Sequence, residues 1–476
     1  MGVGEVHSTN EAGQCRGREG TSLLGASNEA KDTEIGVSLT TPDSVRRLQR
    51  KLYIKAKEAP QYRFYLLYDK VHREDVLQHA YRLSRAQRGA PGVDGESFRH
   101  IDAQGADEWL AALRKELQAQ TYRPAPVRRV LIPKPGGGER PLGIPTIRDR
   151  VVQTAAKLVL EPIFEAEFDA SAYGYRPRRS ARDAVQAVHR ALCDGYTEVV
   201  DADLSKYFDT IPHQELMQCV ARRVVDGAML RLIKMWLKAP IEERDEQGRR
   251  RMTGGKHSRR GTPQGGVLSP LLANIYMHRF LRAWRQRGKD EAYCARLITY
   301  ADDFVILSRG HAAEALAWTR WAMTHIGLAL NEAKTCLRQA REESFTFLGY
   351  EFGPAWYRPD GHWYLAAKPA KKSVAHVKRA IGTVLHPGNQ ASWPEVVVRL
   401  NRILRGWANY FDYGTRSMAY QAVNRYVASA VRHFLSRRHK VRSRGTRRFA
   451  PVQVFGPLGV TWLRTRRRDV VSVGLM

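Results

Sequence analysis

The chain has 476 residues, with 78 Lys and Arg against 48 Asp and Glu, giving a formal net charge of +30. At 43% hydrophobic and 9% aromatic residues it can bury sizeable cores, which excludes a disordered basic tail and allows roughly two to four domains. A folded, strongly basic protein points to a polyanionic partner, nucleic acid first.

Residues 1–45 hold 3 Lys/Arg, 7 Asp/Glu and no aromatic residue, and read as a disordered leader without the marks of a signal peptide or mitochondrial presequence. No apolar run approaches a membrane span, so no membrane partner is expected. The five cysteines lie far apart with no C-x-x-C pair, which excludes a zinc site or disulfide framework and suits a reduced cytoplasmic protein.

From about Pro42 the pattern turns helical. RRLQRKLYIKA and REDVLQHAYRLSRAQ are amphipathic, the second ending at the turn sequence GAPGVDG. ADEWLAALRKELQAQ places Trp109, Leu110, Leu113 and Leu117 on one stripe. RRVLIPKPGGGERPLGIP predicts two strands around a glycine turn, and RDRVVQTAAKLVLEPIFEAEF a long helix. SARDAVQAVHRAL predicts a helix opened by Ser180 with Asp183 three residues on, a variant capping box. TEVVDADLSKYF reads as a buried strand entering a turn, and TPQGGVLSPLLANIYMHRFLRAW as a helix with a Gly/Pro-rich mouth. LITYADDFVIL is strand, turn, strand; HAAEALAWTRWAMTHIGL is a helix; FTFLGYEF is a short strand pair. After about Ala366 the pattern is helical throughout, around RLNRILRGWANYF and YQAVNRYVASAVRHFL. Helices, then mixed α/β, then basic helices predict an α+β centre flanked by helical modules.

Three acids stand at the ends or bends of apolar strands: Asp203, Asp302 and Asp303. Adjacent like charges in an apolar run have two readings, a tight turn with its acids in water or a bound metal. Carboxylates from separate strands are what two-metal nucleotidyl transfer requires, because Mg²⁺ takes hard oxygen ligands and keeps substrate phosphates in its shell.

The blocks VVDADLSKYFDTIPH, RRGTPQGGVLSPLLANIYM, TYADDFVIL, GLALNEAKTCL and FTFLGYEF, in that order, resemble the palm motifs of reverse transcriptases. APGVDGESF, VLIPKPGGGERPLGIPTIRDRVVQTA and SAYGYRPRRSARDAV resemble the fingers of the group II intron-encoded reverse transcriptase/maturases, and LRGWANYF their thumb, the X or maturase domain. The resemblance covers roughly residues 65–465. It implies a right-hand polymerase fold: a helical extension and the start of the fingers over 46–125, fingers and palm over 126–365, an all-α thumb/maturase domain over 366–434, and a basic nucleic-acid-binding segment over 435–476.

Residue by residue, the resemblance makes Asp203 and Asp302 metal-binding acids and Asp303 a peripheral third, with the Leu204 carbonyl completing the shell of two Mg²⁺, for which Mn²⁺ can substitute. Asp201 and Asp209 read instead as polar residues bracketing the strand and its turn. Phe208 falls at the steric gate, where a bulky ring leaves no room for a 2′-hydroxyl. Lys134 and Arg140 match triphosphate contacts, an ammonium and a guanidinium fork flanking the glycine turn. Gln264 and Gly265 match the close approach to the incoming nucleotide, Lys334 the proton donor to pyrophosphate, and Phe347, Leu348 and Gly349 the hairpin gripping the primer end.

Residues 366–476 hold 22 Lys/Arg and 3 Asp/Glu. The clusters include Lys371, Lys372, Arg437, Arg438, Lys440, Arg442, Arg447 and Arg448, followed by the RTRRR run at 464–468, and aromatics are interleaved. Such a surface suits the backbone of a structured RNA and stacking on unpaired bases; Trp407 and Phe411, four apart, read as core. Nothing after Phe434 resembles the HNH endonuclease of many family members, so cleavage of the second target strand is not expected.

The implied activity is RNA-directed DNA synthesis by a protein that binds its intron RNA, assists splicing and copies the intron into DNA during retrohoming. Its partners would be intron RNA, an RNA template with DNA primer, target DNA and dNTPs, in a bacterial cytoplasm at the nucleoid; the oligomeric state is left open. A retron- or CRISPR-associated reverse transcriptase and a catalytically idle RNA-binding maturase are the alternatives.

Overall fold

The computed structural model describes residues 40–133, 138–245, 247, 249–357, 361–442 and 444–465. In chain order, α1 (Asp43–Glu58), α2 (Tyr68–Val71), α3 (Glu74–Ala86), α4 (Phe98–Gln104) and α5 (Ala106–Gln118) precede a hairpin of β1 (Val127–Pro133) and β2 (Glu139–Ile144). Then come α6 (Ile147–Glu165), α7 (Ala181–Cys193), β3 (Glu198–Asp203), α8 (Tyr207–Thr210), α9 (His213–Ala221), α10 (Gly227–Leu237), β4 (Pro240–Arg244) and β5 (Arg250–Gly254). They are followed by α11 (Ser269–Gln286), α12 (Lys289–Ala292), β6 (Ala295–Tyr300), β7 (Asp303–Ser308), α13 (Ala312–His325) and β8 (Cys336–Gln339). The chain closes with β9 (Phe345–Phe347), β10 (Tyr350–Tyr357), β11 (His362–Pro369), α14 (Lys371–Val384), α15 (Trp393–Tyr410), α16 (Ser417–Arg438) and α17 (Pro451–Phe455).

Local sequence chemistry accounts for most of these boundaries. α1 starts at Asp43, inside the segment expected as leader, with an acid in its first turn and Lys55 and Lys57 in its last, as the helix dipole favours. The capping box at Ser180 forms: its side chain accepts from Asp183 N–H while Asp183 accepts from Ser180 N–H. Leu110, Leu113 and Leu117 of α5 are buried, with Trp109 partly so.

The antiparallel sheet β6-β7-β3-β8 separates two apolar cores. Val200, Ala202, Leu297, Phe304 and Ile306 point into the core built on α6, α11, α13 and the N-terminal helices. Their alternating neighbours Val199, Ile298, Val305 and Leu307 point into the core shared with α7, β9–β11 and α14–α16. Burial on both faces is why these strands read as continuous apolar runs.

Two differences from the sequence expectation stand out. The chain does not turn helical at Ala366: β11 runs through Pro369 and pairs along its whole length with β10. It extends the expected strand pair to a three-stranded sheet. β4 and β5 carry no signal in the sequence, because IEERDEQGRRRM has no apolar alternation; β4 forms by adding in parallel to the edge of β1.

One acid contributes to tying down the N-terminal helices. Asp226 caps α10 by accepting from Met229 N–H (3.0 Å) and also accepts from Leu67 N–H (2.7 Å) and Tyr68 N–H (2.8 Å). Asp226→Ala removes the cap and strands two amides, one of them buried, and is expected to cost about 2–4 kcal/mol in chemical denaturation. Asp226→Asn should recover part of that loss.

Candidate active site

Backbone pairing brings the three acids together. β3 and β7 align Asp203 opposite Asp303, and Asp302 sits in the two-residue turn between β6 and β7. Ala301 takes a left-handed conformation there, φ 59°. The turn is backed by Gly174: a Cβ at that position would lie 2.4 Å from Ala301 N, so only glycine permits the approach. Asn274 Nδ2 fixes that support by donating to Gly174 C=O at 2.8 Å. Leu204 bridges to Leu330, and the flanking hydrogen bonds use Ser205 N–H and Asp203 C=O, not the groups of Leu204 itself.

Among the described residues, Lys334 answers the acids inside the cluster. Lys334 Nζ donates to Asp203 Oδ2 at 2.7 Å, and Asn331 Nδ2 approaches the same oxygen at 3.3 Å. The Asp203 bond, with its charge, holds the Lys334 ammonium pKa above its ordinary value. Desolvation first, then the charge of Asp203, raises the Asp302 carboxyl. Desolvation in the cleft, then Asp302, Asp203 and Asp201 in turn, push Asp303 up to about 7. Solvent still reaches the Asp303 side chain, which tempers the effect without reversing it. Asp201, half-buried behind the cluster, rises to about 6, again mainly through burial.

Phe208 is half-buried in α8, the short helix after β3, held by Thr262 N–H donating to its carbonyl at 2.7 Å. Arg140 is exposed on β2, opposite Ile132; Lys134 lies outside the described residues. Gln264 C=O accepts from Gly143 N–H, joining the α11 mouth to the β1–β2 hairpin. Gly265, at φ +104°, packs so closely that a Cβ would meet Gly143 O at 2.3 Å. Asp209 faces Arg129 and Lys206, and burial raises its carboxyl.

Two tyrosines belong to the site although sequence reasoning did not assign them to it. Tyr175, at φ 57° and 48% exposed, sets its ring 6.3 Å from Phe208 and feels the charges of Asp302, Asp303 and Arg140. Its signal was an aromatic within the glycine-flanked, basic block SAYGYRPRR. Tyr410 of α15 donates to Leu348 C=O at 2.9 Å and lies within reach of the Tyr300 and Asp303 charges; burial first pushes its hydroxyl up to about 12.

Phe347 is buried in the core, so its ring is closed to a primer. Leu348 (φ 50°) and Gly349 (φ 76°) form the tip. Gly349 C=O accepts from Ala370 N–H and Ser373 Oγ, which ties the tip to α14.

Lys371 and Lys372 open α14 with exposed side chains and no acid in the first turn, an arrangement the helix dipole disfavours and a bound anion would relieve. Arg437, Lys440, Arg442, Arg447 and Arg448 are exposed. Arg438 differs, because its guanidinium donates to Ala391 and Gln390 carbonyls at 2.7 and 3.3 Å. Trp407 and Phe411 are buried with ring centres 5.1 Å apart, as the core reading expects. Arg464 is exposed, and 466–468 lie outside the described residues.

An antiparallel sheet with acids at one strand end and in the adjoining turn, backed by helices, defines the palm of a reverse transcriptase-class polymerase. A family model for reverse transcriptase (RNA-dependent DNA polymerase) matches residues 132–352, and one for the group II intron maturase-specific domain matches 374–450. The chain belongs to the group II intron-encoded reverse transcriptase/maturase family, with an α+β right-hand polymerase fold followed by the helical maturase-specific region. It is 36% identical over 347 residues to Protein YkfC of Escherichia coli (strain K12), covering 64% of this chain and 87% of that protein. It is 35% identical over 217 residues to the group II intron-encoded protein LtrA of Lactococcus lactis subsp. cremoris, 45% of this chain and 34% of that one. An uncharacterized 91 kDa protein in the cob intron of Schizosaccharomyces pombe is 26% identical over 394 residues, 67% of this chain and 46% of its own. No described helix is long and apolar enough to cross a membrane.

The raised carboxyl of Asp303 sets a pH dependence. The folded protein keeps a proton that the unfolded chain releases between about pH 4 and 7, so this group's contribution to stability falls as pH rises through that window. In EDTA, Asp303→Asn should therefore flatten the pH dependence of urea unfolding and be more stable than the parent chain at pH 8. Parallel profiles for the two proteins would contradict the assignment.

Proposed function

We propose that this chain is a catalytically competent RNA-directed DNA polymerase, with Asp203, Asp302 and the Leu204 carbonyl holding two divalent cations, Mg²⁺ with Mn²⁺ as a substitute. The observation that carries this reading is the strand register that gathers Asp203, Asp302 and Asp303 at one sheet edge, with one lysine among them. The donor set fits: it offers hard oxygens only, and burial, with the neighbouring acids, raises the proton affinity of Asp302 and Asp303. Among the described residues no three His, Cys, Asp or Glu side chains form a closed cage, so further positions fall to the backbone and to substrate oxygens. When bound, the two ions activate the primer 3′-hydroxyl and neutralise charge developing on the phosphates.

The chain's own residues then divide the remaining work. The Phe208 ring, steadied by Tyr175, excludes a 2′-hydroxyl and so favours dNTPs. Arg140, with Lys134, draws the triphosphate, while Gln264 and Gly265 shape the floor beneath the new base pair. Lys334, kept protonated by Asp203, serves as proton donor to the departing pyrophosphate. Leu348 and Gly349 position the primer end of an RNA-templated duplex. The maturase-specific segment binds the parent intron RNA and assists splicing, and the following basic residues contact target DNA during retrohoming at the bacterial nucleoid. The proposed division is 46–125, 126–365, 366–434 and 435–476.

Asp302→Ala tests the reading. RNA-templated primer extension should fall by at least ~10²–10³-fold, as when one preorganised charge-stabilising group is lost, while intron RNA binding is retained. Unimpaired cDNA synthesis by that variant would refute the metal assignment.

A further inference from the structure

Between α14, α16 and the segment 385–392 lies an open cavity of about 450 Å³. That volume falls within the range of roughly 300–1,000 Å³ typical of small-ligand sites. Its lining includes Tyr426, Gln390, His433 and Arg437, and no acidic residue. None of these four side chains has a hydrogen-bond partner among the described residues. Lys378 adds a cation, its ammonium 5.6 Å from the centre of the Tyr426 ring.

The neighbouring Arg438 is already engaged. It donates to the Ala391 and Gln390 carbonyls and lies over the Phe434 ring at 5.8 Å, so it holds the wall of the cavity. Arg437 is left as the guanidinium available at the mouth, in a segment whose charge is overwhelmingly positive.

Gly382 supplies a separate observation. It lies inside α14, where glycine disfavours the helix more than any residue but proline. Its φ is not positive. The nearest atom to a Cβ placed there would be Tyr426 Oη at 3.6 Å, an ordinary contact distance. Neither the backbone nor the packing therefore requires glycine at this position. The effect of the missing side chain is to keep the cavity open beneath the tyrosine hydroxyl.

We propose that this cavity receives one unpaired nucleotide, with its base against Tyr426, its polar edges met by Gln390 and His433, and its phosphate on Arg437. An aromatic ring, an amide, an imidazole and a guanidinium around a base-sized space match that ligand, and the absence of acids suits its charge. A base still paired in a duplex cannot enter without leaving its stack. The inference rests on the reading that the maturase-specific segment binds RNA, and it narrows that reading to a single-nucleotide site.

The test uses the full-length chain and oligonucleotides about 12 nucleotides long, within the usual site size for single strands. They carry one 5-iodouracil, in ribose and deoxyribose versions, single-stranded or in a blunt duplex. Ultraviolet irradiation should cross-link the single strand, and not the duplex, to the peptide containing Tyr426. Gly382→Leu fills the cavity while favouring the helix, so it should weaken single-strand binding roughly tenfold and abolish the cross-link without lowering the melting temperature. Ala430→Leu, on the opposite helix, is a second filling variant should the first fold poorly. A tighter ribose probe assigns the site to RNA and a tighter deoxyribose probe to DNA; either supports a nucleotide site. Unchanged affinity and cross-linking in both filling variants would overturn the proposal. Equal binding of single strand and duplex, lost together in Arg447→Ala/Arg448→Ala, would also overturn it while leaving RNA binding by this segment intact. Binding of neither probe would overturn the pocket and the RNA-binding reading alike.

Discussion

Asp203 and Asp303 face each other across paired antiparallel strands, with Asp302 in the turn beside them. Like charges placed directly opposite destabilise a sheet, and among the described residues it is Lys334, 131 positions after Asp203 and 31 after Asp303, that donates to Asp203. The rest of the structure serves to hold that unfavourable arrangement. Both faces of the sheet are sealed by apolar cores, so a one-residue slip of β3 or β7 would turn the whole apolar set of that strand to the opposite core. Gly174 and Asn274 brace the turn from behind, and Asn331 anchors the end of β3 through Asp203. Burial and crowding raise the proton affinity of Asp302 and Asp303, while Asp203 is held by the Lys334 ammonium.

The site is joined to the helical C-terminal region through few, specific contacts. Tyr410 reaches the hairpin tip at Leu348, and Ala370 and Ser373 bond Gly349. On the other side, His189 of α7 bonds both Tyr413 Oη (2.7 Å) and Leu365 C=O (2.9 Å). Arg182 pairs with Asp412 at 2.6 Å. The end of α15 and the turn after it thus touch α7 and the Leu348–Gly349 tip at once.

Much of this was legible in the sequence because it is written in local patterns. The strand-turn-strand around Asp302, the capping box at Ser180 and the buried stripe of α5 each follow from residue spacing alone. What escaped was decided by tertiary partners. β4 and β5 are charged strands that exist because β1 offers an edge, and β11 persists past Ala366 because β10 pairs with it to the end. Phe347 looked available for a primer because sequence position does not say which face of a short strand is buried. Tyr175 and Tyr410 join the site from separate elements, and no spacing rule connects them to the acids. Gly382 is silent in the sequence for the opposite reason: its role is the space it leaves.

We propose that the sheet register serves to hold two divalent cations. Counting Mn²⁺ by electron paramagnetic resonance in the complex with an RNA template, a 3′-terminated DNA primer and the matching dNTP tests it most directly. Two ions should be bound by the parent chain, with site occupancy lost in Asp203→Asn and in Asp302→Asn. The same two ions bound with unchanged affinity in both variants would contradict it.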